Sequence, residues 1–278
     1  MPSTRLRPAL AIAALLLSTF GAASGLAAIH GLTVVTSDSF IARASAQTRA
    51  SVECPRGKVP FGGGAFISGS NLAVGLASSF PANRLWIVDV SNPTAAATTF
   101  RIRVVCASKP KLYSLSVGLF TPLRAGTTTS AFAACPVGSL PLGGGADTSA
   151  SVPLVNVVGS QPLGQAWRVD EFNGTGMDAA VASFTTCGKL KGYVVAPDGP
   201  LSLSPHVETR LTAPCPTGTI AVGGGVTGSP AAAITVNSSG PNNAFSDPAR
   251  PFDIWDTEIN NASGAAASAT AFAVCAKP

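Results

Sequence analysis

Three matched sets of side chains in this sequence have the composition of a ligand-binding site. Each set has a tryptophan, a carboxylate three residues later and an asparagine six residues later. The sets are Trp86, Asp89 and Asn92; Trp167, Asp170 and Asn173; and Trp255, Glu258 and Asn261. An aromatic ring can stack on the apolar face of a sugar while carboxylate and amide groups bind its hydroxyls. Three equivalent weak sites would gain affinity through multivalency, so the sets predict glycan binding.

The strand pattern around each tryptophan favours a different interpretation. Side chains alternate between the two faces of a strand, so Trp86 shares a face with Val88 and Val90, whereas Asp89 points to the other face. This alternation places the tryptophan in the core, the carboxylate on the surface or at a turn, and Asn92 at the start of the next turn. The glycan site is the competing hypothesis.

The sets recur because the chain contains three copies of one unit. Each unit begins with Cys-Pro-x-Gly, continues through three consecutive glycines and its tryptophan, and ends at a second cysteine. The glycine triplets occupy residues 62–64, 143–145 and 223–225. The first cysteine precedes the tryptophan by 32, 32 and 40 residues, and the second follows it by 20 residues in every unit. We therefore predict repeats over residues 29–110, 111–192 and 193–278, with an insertion in the third between residues 241 and 251.

The six cysteines predict one disulfide in each repeat. Two cysteines at matching places in every repeat of an exported chain are typical of an oxidised framework. The predicted pairs are Cys54–Cys106, Cys135–Cys187 and Cys215–Cys275. Each bond would stabilise the fold by roughly 4 kcal/mol in the chain-entropy model. Because the chain has only two histidines, His30 and His206, and no Cys-x-x-Cys pair, we expect no metal and no cofactor.

The first 28 residues are typical of a signal peptide. Arg5 and Arg7 precede the apolar run Ala9–Leu17, and small residues follow it. An uncleaved membrane anchor is the alternative, but the strongly apolar part is shorter than the ~20 residues that a span needs. We expect a secreted protein with no stable membrane insertion.

The remainder of the chain predicts an all-β protein. Segments such as Leu85–Val90 and Phe100–Cys106 are rich in β-branched residues and are separated by Gly, Pro, Asn or Ser. The Cys-Pro-x-Gly segment predicts a tight turn. A glycine triplet inside a strand predicts a bulge, or a neighbour packed too closely for a Cβ atom. We expect the three units either to pack about a pseudo-threefold axis or to adjoin as small sandwiches.

Composition and motifs argue against several classes of function. Charged residues make up 11% of the chain and the formal net charge is +5, without the basic clusters of a nucleic-acid-binding protein. The glycine triplets do not match a phosphate-binding loop. His30 lies beside the cleavage region and His206 lies outside the matched units, so a serine-protease triad is not expected.

Two further groups have mainly structural interpretations. Four acids cluster around the insertion of the third repeat but lack the spacing of a calcium loop, so we interpret them as a solvated face: Asp247, Asp253, Asp256 and Glu258. Asn173, Asn237 and Asn261 stand in Asn-x-Ser/Thr sequons, which would mark exposed positions if the source is eukaryotic.

The repeat pattern Cys-Pro-x-Gly, Gly-Gly-Gly, Trp, Cys resembles that of largely uncharacterised secreted bacterial proteins, particularly those of actinobacteria. The resemblance covers nearly the whole chain after the signal segment, and it implies export and fold rather than activity. The unit is more loosely similar to vitelline membrane outer layer proteins, with which it shares the Cys-Pro-x-Gly start and the closing cysteine. That resemblance implies three disulfide-bearing β repeats about a pseudo-threefold axis, a β-prism.

Together these observations predict a secreted, non-enzymatic protein with a structural, adhesive, glycan-binding or cell-envelope-binding role. One alternative is a secreted glycan hydrolase whose acids come from different repeats. Another is an inhibitor of secreted hydrolases that uses the insertion of the third repeat as its binding loop.

Overall fold

A computed structural model describes residues 29–231, 234–242 and 252–278, which form twenty β-strands and no α-helix. The predicted all-β class is confirmed. The predicted signal peptide and most of the insertion, including Asp247, lie outside the described residues. In the part of the chain that the structure describes, no helix is long and apolar enough to cross a membrane.

The strands fall into three consecutive groups that follow the repeats. The first repeat forms β1 (Thr33–Thr36), β2 (Phe40–Ala42), β3 (Ala46–Glu53), β4 (Lys58–Ile67), β5 (Gly75–Ala82), β6 (Leu85–Asn92) and β7 (Thr98–Ser108). The second forms β8 (Lys111–Val117), β9 (Thr121–Leu123), β10 (Thr128–Ala134), β11 (Leu140–Thr148), β12 (Val155–Leu163), β13 (Ala166–Asn173) and β14 (Ala179–Lys189). The third forms β15 (Val194–Leu203), β16 (Val207–Pro214), β17 (Ile220–Ser229), β18 (Ile234–Asn242), β19 (Ile254–Asn261) and β20 (Ala267–Ala276).

The same antiparallel pairings occur in every repeat. In the first repeat, β6 lies between β3 and β5, and β7 pairs with β4, β1 and β2. In the second, β13 lies between β10 and β12, and β14 pairs with β11, β8 and β9. In the third, β19 lies between β16 and β18, and β20 pairs with β17 and β15. The single strand β15, with an irregularity in its ladder, takes the place of the two short strands found in the other repeats.

The repeats are joined to one another through their strands. Strand β5 of the first repeat pairs with β11 of the second through Ser79 and Ala146. Strand β12 of the second repeat pairs with β17 of the third through Ser160 and Val226. Strand β18 of the third repeat lies against β4 of the first. Strands of each repeat therefore contact the next repeat, and the choice between a pseudo-threefold prism and adjoining small sandwiches stays a prediction.

The first glycine of each triplet lies where the three repeats meet. A Cβ atom on Gly62 would lie 2.6 Å from the Cα atom of Gly223. One on Gly143 would lie 2.6 Å from the Cα atom of Gly62, and one on Gly223 would lie 3.0 Å from the Cα atom of Gly143. Since a side chain at any of these positions would overlap another backbone, glycine is required for the repeats to approach this closely.

The second glycine of each triplet makes room for the tryptophan of its own repeat. A Cβ atom on Gly63 would lie 2.7 Å from the ring of Trp86, and one on Gly144 would lie 2.5 Å from the ring of Trp167. The strand register shifts immediately before each triplet, at matching places in β4, β11 and β17. The sequence-based explanation of the triplets, a bulge with a closely packed neighbour, is therefore confirmed.

All three predicted disulfides are present. Cys54–Cys106, Cys135–Cys187 and Cys215–Cys275 have Cα–Cα distances of 5.7, 5.6 and 5.7 Å. No cysteine is free. Each bond connects the residue directly after β3, β10 or β16 to the strand that pairs with the glycine-bearing strand, so it closes one repeat.

Candidate functional site

The three predicted tryptophans belong to the core. Trp86 and Trp167 have no exposed surface, and Trp255 is 1% exposed. Each indole Nε1 donates a hydrogen bond to a serine hydroxyl of the preceding strand, with which its own strand pairs; the acceptors are Ser79, Ser160 and Ser239, at 3.0, 2.9 and 2.9 Å. A ring enclosed on both faces cannot stack on a sugar, so the interpretation of the tryptophans as ligand-binding residues is wrong.

The first two predicted carboxylates are held by side chains of their own strand or of a neighbouring one. Asp89 is 4% exposed and accepts two hydrogen bonds from Arg49. Asp170 is 5% exposed and accepts hydrogen bonds from Ser130 and Arg168. Glu258 is half-buried, although its position in the ladder matches that of the two aspartates.

In the third repeat the buried acid is Asp256, for which the sequence predicts a solvated face. Its carboxylate accepts hydrogen bonds from Arg210, Thr212 and Asn242. Only 1% of Asp256 is exposed, so the solvated-face interpretation is wrong for this residue. The repeat pattern did not predict this burial, because the buried acid of the third repeat follows its tryptophan by one residue rather than by three.

The predicted asparagines stabilise turns. The Asn92 amide donates to the carbonyl oxygens of Ala42 and Ala96, and its carbonyl oxygen accepts bonds from the backbone and hydroxyl of Thr94. Matching bonds surround the other two asparagines, Asn173 and Asn261. Because all three are fully buried, they are structural groups rather than ligand-binding ones.

Burial also corrects the interpretation of the sequons. Asn173, Asn237 and Asn261 have no exposed surface. The Asn237 amide donates to the carbonyl oxygen of Val74 at 3.2 Å. A sequon marks an exposed position only where its asparagine reaches solvent, so the expectation of exposed positions is wrong for all three.

An open cleft of about 370 Å³ lies where the first repeat meets the second. Its polar wall comes from β3, β6, the end of β11 and the loop that follows; the lining residues are Gln47, Arg49, Asp89, Asp147 and residues 148–151. We call it the junction cleft. Gln47 and Arg49 stand two apart on β3 and therefore share a face of the sheet with Asp89, whose strand pairs with theirs.

One arginine organises the acids of the junction cleft. Arg49 Nε and Nη2 donate to the two oxygens of Asp89 at 2.8 and 2.6 Å, and Nη2 also donates to Asp147 Oδ1 at 3.1 Å. Asp89 belongs to the first repeat and Asp147 to the second, so this ion-pair network crosses the junction. The hydrogen bond to Asp89 is the main reason that the pKa of Arg49 is raised. Arg49 therefore stays charged and fixes both carboxylates.

The acids of this region are partly withdrawn from water. Burial raises the pKa of Asp147, and the charge of Asp89 adds to that shift while Arg49 opposes it. Behind the cleft, Glu171 is completely buried, and neither of its carboxyl oxygens has a hydrogen-bond partner among the described residues. Burial raises the pKa of Glu171 well above its usual range, and the charges of Asp147 and Asp89 raise it further.

Gln47 leaves an unused donor at the junction cleft. Its Nε2 atom is buried and has no hydrogen-bond partner in the described part of the chain. An unpaired buried donor lowers the stability of the fold unless a ligand or water accepts its hydrogen bonds. The cleft thus combines an unpaired amide donor with a carboxylate of limited exposure and the hydroxyls of Ser149 and Ser151.

A second cleft, of about 400 Å³, lies at the Cys-Pro-x-Gly end of the first repeat. Three cationic residues line it: Lys58, Arg84 and Lys109. Tyr113 of the second repeat forms part of the opposite wall, and its hydroxyl donates to the carbonyl oxygen of Pro60 at 3.0 Å. We call this the basic cleft.

The sequence predicts neither cleft, because the predictions rest on residues that the three repeats share and the clefts are lined in part by residues that they do not share. Asp147 follows its glycine triplet by two residues, where the other repeats have Phe66 and Thr227. Arg84 stands two residues before its tryptophan, where the others have Gln165 and Asp253. The available signal for the two clefts was the set of positions at which one repeat has a charged residue that the others lack.

The remaining candidates do not assemble into a site. His30 and His206 are both exposed in turns. Across residues 29–231, 234–242 and 252–278, no group of three or more His, Cys, Asp or Glu side chains is placed to hold a metal ion.

No family model matches the chain, and no curated protein matches it at a significant level.

Proposed function

We propose that this is a secreted, non-enzymatic binding protein that holds a hydroxyl-rich ligand, a glycan of the extracellular environment, in its junction cleft. The observation that carries the proposal is that the unpaired Gln47 amide and the fixed Asp147 carboxylate line the same cleft of about 370 Å³. Carboxylate and amide groups that converge in a pre-formed cleft bind the hydroxyls of a saccharide by accepting and donating hydrogen bonds.

The framework around the cleft supports a binding role. Two repeats contribute its walls, and each repeat is closed by its own disulfide. Bonds of this kind persist in oxidising extracellular environments, which agrees with the signal peptide predicted from the sequence. A rigid cleft loses little conformational entropy when it binds, so a modest number of hydrogen bonds suffices for affinity.

A glycan hydrolase is the second candidate, because acids of two repeats meet at Arg49. Burial raises the pKa of Asp147, as a general acid requires, and Asp89, which forms an ion pair with Arg49, is the second acid. However, both oxygens of Asp89 accept hydrogen bonds from Arg49. A carboxylate held at both oxygens is a poor nucleophile or base, which favours binding over catalysis.

The test is an oligosaccharide array followed by calorimetry on the glycans that bind. Asp147→Asn keeps the size of the side chain and removes its charge, and Gln47→Ala removes the unpaired donor. We expect each variant to bind at least about tenfold more weakly, which corresponds to ~1.4 kcal/mol. Asp198→Asn, on an exposed part of β15 in the third repeat, is the matched control and should bind as the wild type does.

Three outcomes would reject this proposal. No glycan binds, the Asp198→Asn control loses as much affinity as Asp147→Asn does, or the melting temperature of Asp147→Asn falls so far that unfolding of the variant accounts for its loss of affinity. Glycan turnover that Asp147→Asn abolishes would instead favour the hydrolase.

A further inference from the structure

The basic cleft concentrates positive charge at one end of one repeat. Lys58, Arg84 and Lys109 line it, and Glu53 is the acid that contacts this group, at 3.2 Å from Arg84 Nη2. That glutamate is 57% exposed, so solvent screens its charge and it neutralises little of the cleft. The walls also include Val59 and Leu115, which give the cleft an apolar side.

The fold does not require these cations. The backbone N–H of the first cysteine donates to the carbonyl oxygen of the residue at the Arg84 position in every repeat, at 2.8 Å each time. That position holds Gln165 in the second repeat and Asp253 in the third. The Lys58 position is occupied by Ser139 and Thr219. The same backbone thus forms with neutral or acidic side chains, and the basic residues need another explanation.

Arg84 has a donor that the protein does not use. Its Nη2 atom donates to the carbonyl oxygen of Cys54 at 2.8 Å, which fixes the orientation of the guanidinium group. Its Nε atom is buried and has no hydrogen-bond partner among the described residues. The Arg84 side chain as a whole is 40% exposed, so the rest of its guanidinium group can donate charge-assisted hydrogen bonds to a ligand in the cleft.

We propose that the basic cleft binds an anionic saccharide unit, whose phosphate or carboxylate is held by Arg84, Lys58 and Lys109. An arginine whose orientation is fixed by one hydrogen bond and whose side chain still reaches solvent is suited to the oxygens of such a group. A cleft of about 400 Å³ has the size of a small-molecule site, and the ring of Tyr113 with Val59 and Leu115 contacts the apolar face of the sugar. This site is separate from the junction cleft, and the proposal does not depend on the function assigned there.

The test measures binding of glucose 1-phosphate, glucuronate, a polyuronate chain and neutral glucose by calorimetry. Lys58→Ser and Arg84→Gln introduce the residues that the second repeat has at these positions. We expect each to weaken binding of the anions by about tenfold, and Lys109→Leu to do so by a smaller factor. Raising the salt concentration from about 50 to about 200 mM should weaken binding further, because the contacts are electrostatic.

Lys191→Ser is the matched control, since it removes the same charge from an exposed lysine of the second repeat. It should change affinity by less than about twofold. If glucose 1-phosphate or glucuronate binds, the ligand of the cleft is a free small molecule. If only the polyuronate binds, the ligand is part of a polymer. Both results support the proposed site. Equal binding of neutral glucose, an equal loss with Lys191→Ser, or no binding at all would overturn it. Asp147→Asn should leave this binding unchanged, so the two proposals can fail separately.

Discussion

The first and second repeats place very different side chains at the same core position. Val90 follows Trp86 by four residues, and Glu171 follows Trp167 by four; both are fully buried. Each pairs with a threonine of the adjacent strand, Thr48 in the first repeat and Thr129 in the second. The backbone is the same in both, although one side chain is apolar and the other can ionise.

This difference shows that the fold is determined by other residues. The glycine triplet, the tryptophan, the closing disulfide and the turn asparagine occupy the same places in both repeats. Together they stabilise the backbone enough to accept a buried acid, whose neighbour at the junction is polar: Thr148 lies beside Glu171, where the first repeat has Ile67. Shared residues therefore build the fold, and residues that differ mark the places where one repeat has a role of its own.

Removing a disulfide should destabilise these two repeats equally. Cys54 and Cys106 are separated by 52 residues, as are Cys135 and Cys187. If each bond acts by restricting the unfolded chain, replacing both cysteines of either pair by alanine should cost about 4 kcal/mol. Urea unfolding of the two double variants measures the loss. Values that differ by more than ~1 kcal/mol would show that the repeats are not equivalent in this respect.

Removing the turn asparagine should also have matching effects. Asn92→Ala and Asn173→Ala each leave two carbonyl oxygens and a backbone N–H without their partner. We expect each variant to lose about 3 kcal/mol of unfolding free energy. Met177→Ala is the control in the second repeat, because this side chain is 63% exposed and lies in the same turn. A loss with Met177→Ala as large as that with Asn173→Ala would assign the effect to the turn in general.

The sequence was most informative about the framework, because framework residues recur. Cysteine spacing predicted the three disulfides, and the rarity of consecutive glycines in strands predicted close packing. Strand alternation correctly favoured a buried Trp86 over a ligand-binding one, but its placement of Asp89 on the surface or at a turn was wrong, because Arg49 covers this carboxylate. Each of these inferences depends on local geometry or on covalent chemistry, which the order of residues largely determines.

The clefts could not be predicted in the same way, because they depend on which repeats become neighbours. Asp147 meets Arg49 across 98 residues of sequence, and Tyr113 closes the basic cleft from the second repeat. No local pattern indicates either contact. The buried Asp256 escaped prediction for a similar reason, since its partners Arg210 and Asn242 come from two other strands.

The direct test of the opening comparison is Glu171→Val, which gives the second repeat the residue of the first. The pKa of Glu171 is raised in the folded protein, so its contribution favours folding below the pKa of the unfolded chain, about 4.3, and is lost as pH rises through the folded pKa. Valine has no such titration and leaves no unpaired carboxyl group in the core. We expect the variant to gain about 2 kcal/mol at neutral pH.

Urea unfolding from pH 4 to pH 8 gives the result, with the difference between variant and wild type as the quantity of interest. Burial also raises the pKa of Asp147, but that effect is present in both proteins; only the interaction of Asp147 with Glu171 differs, and it belongs to the contribution of Glu171 that is being measured. The gain from Glu171→Val should therefore grow as pH rises. Parallel pH profiles would mean that Glu171 keeps its ordinary pKa in the fold, and a loss of stability at neutral pH would mean that its carboxylate is bound by a group that valine cannot replace. Either result would remove the distinction between the two repeats at this position.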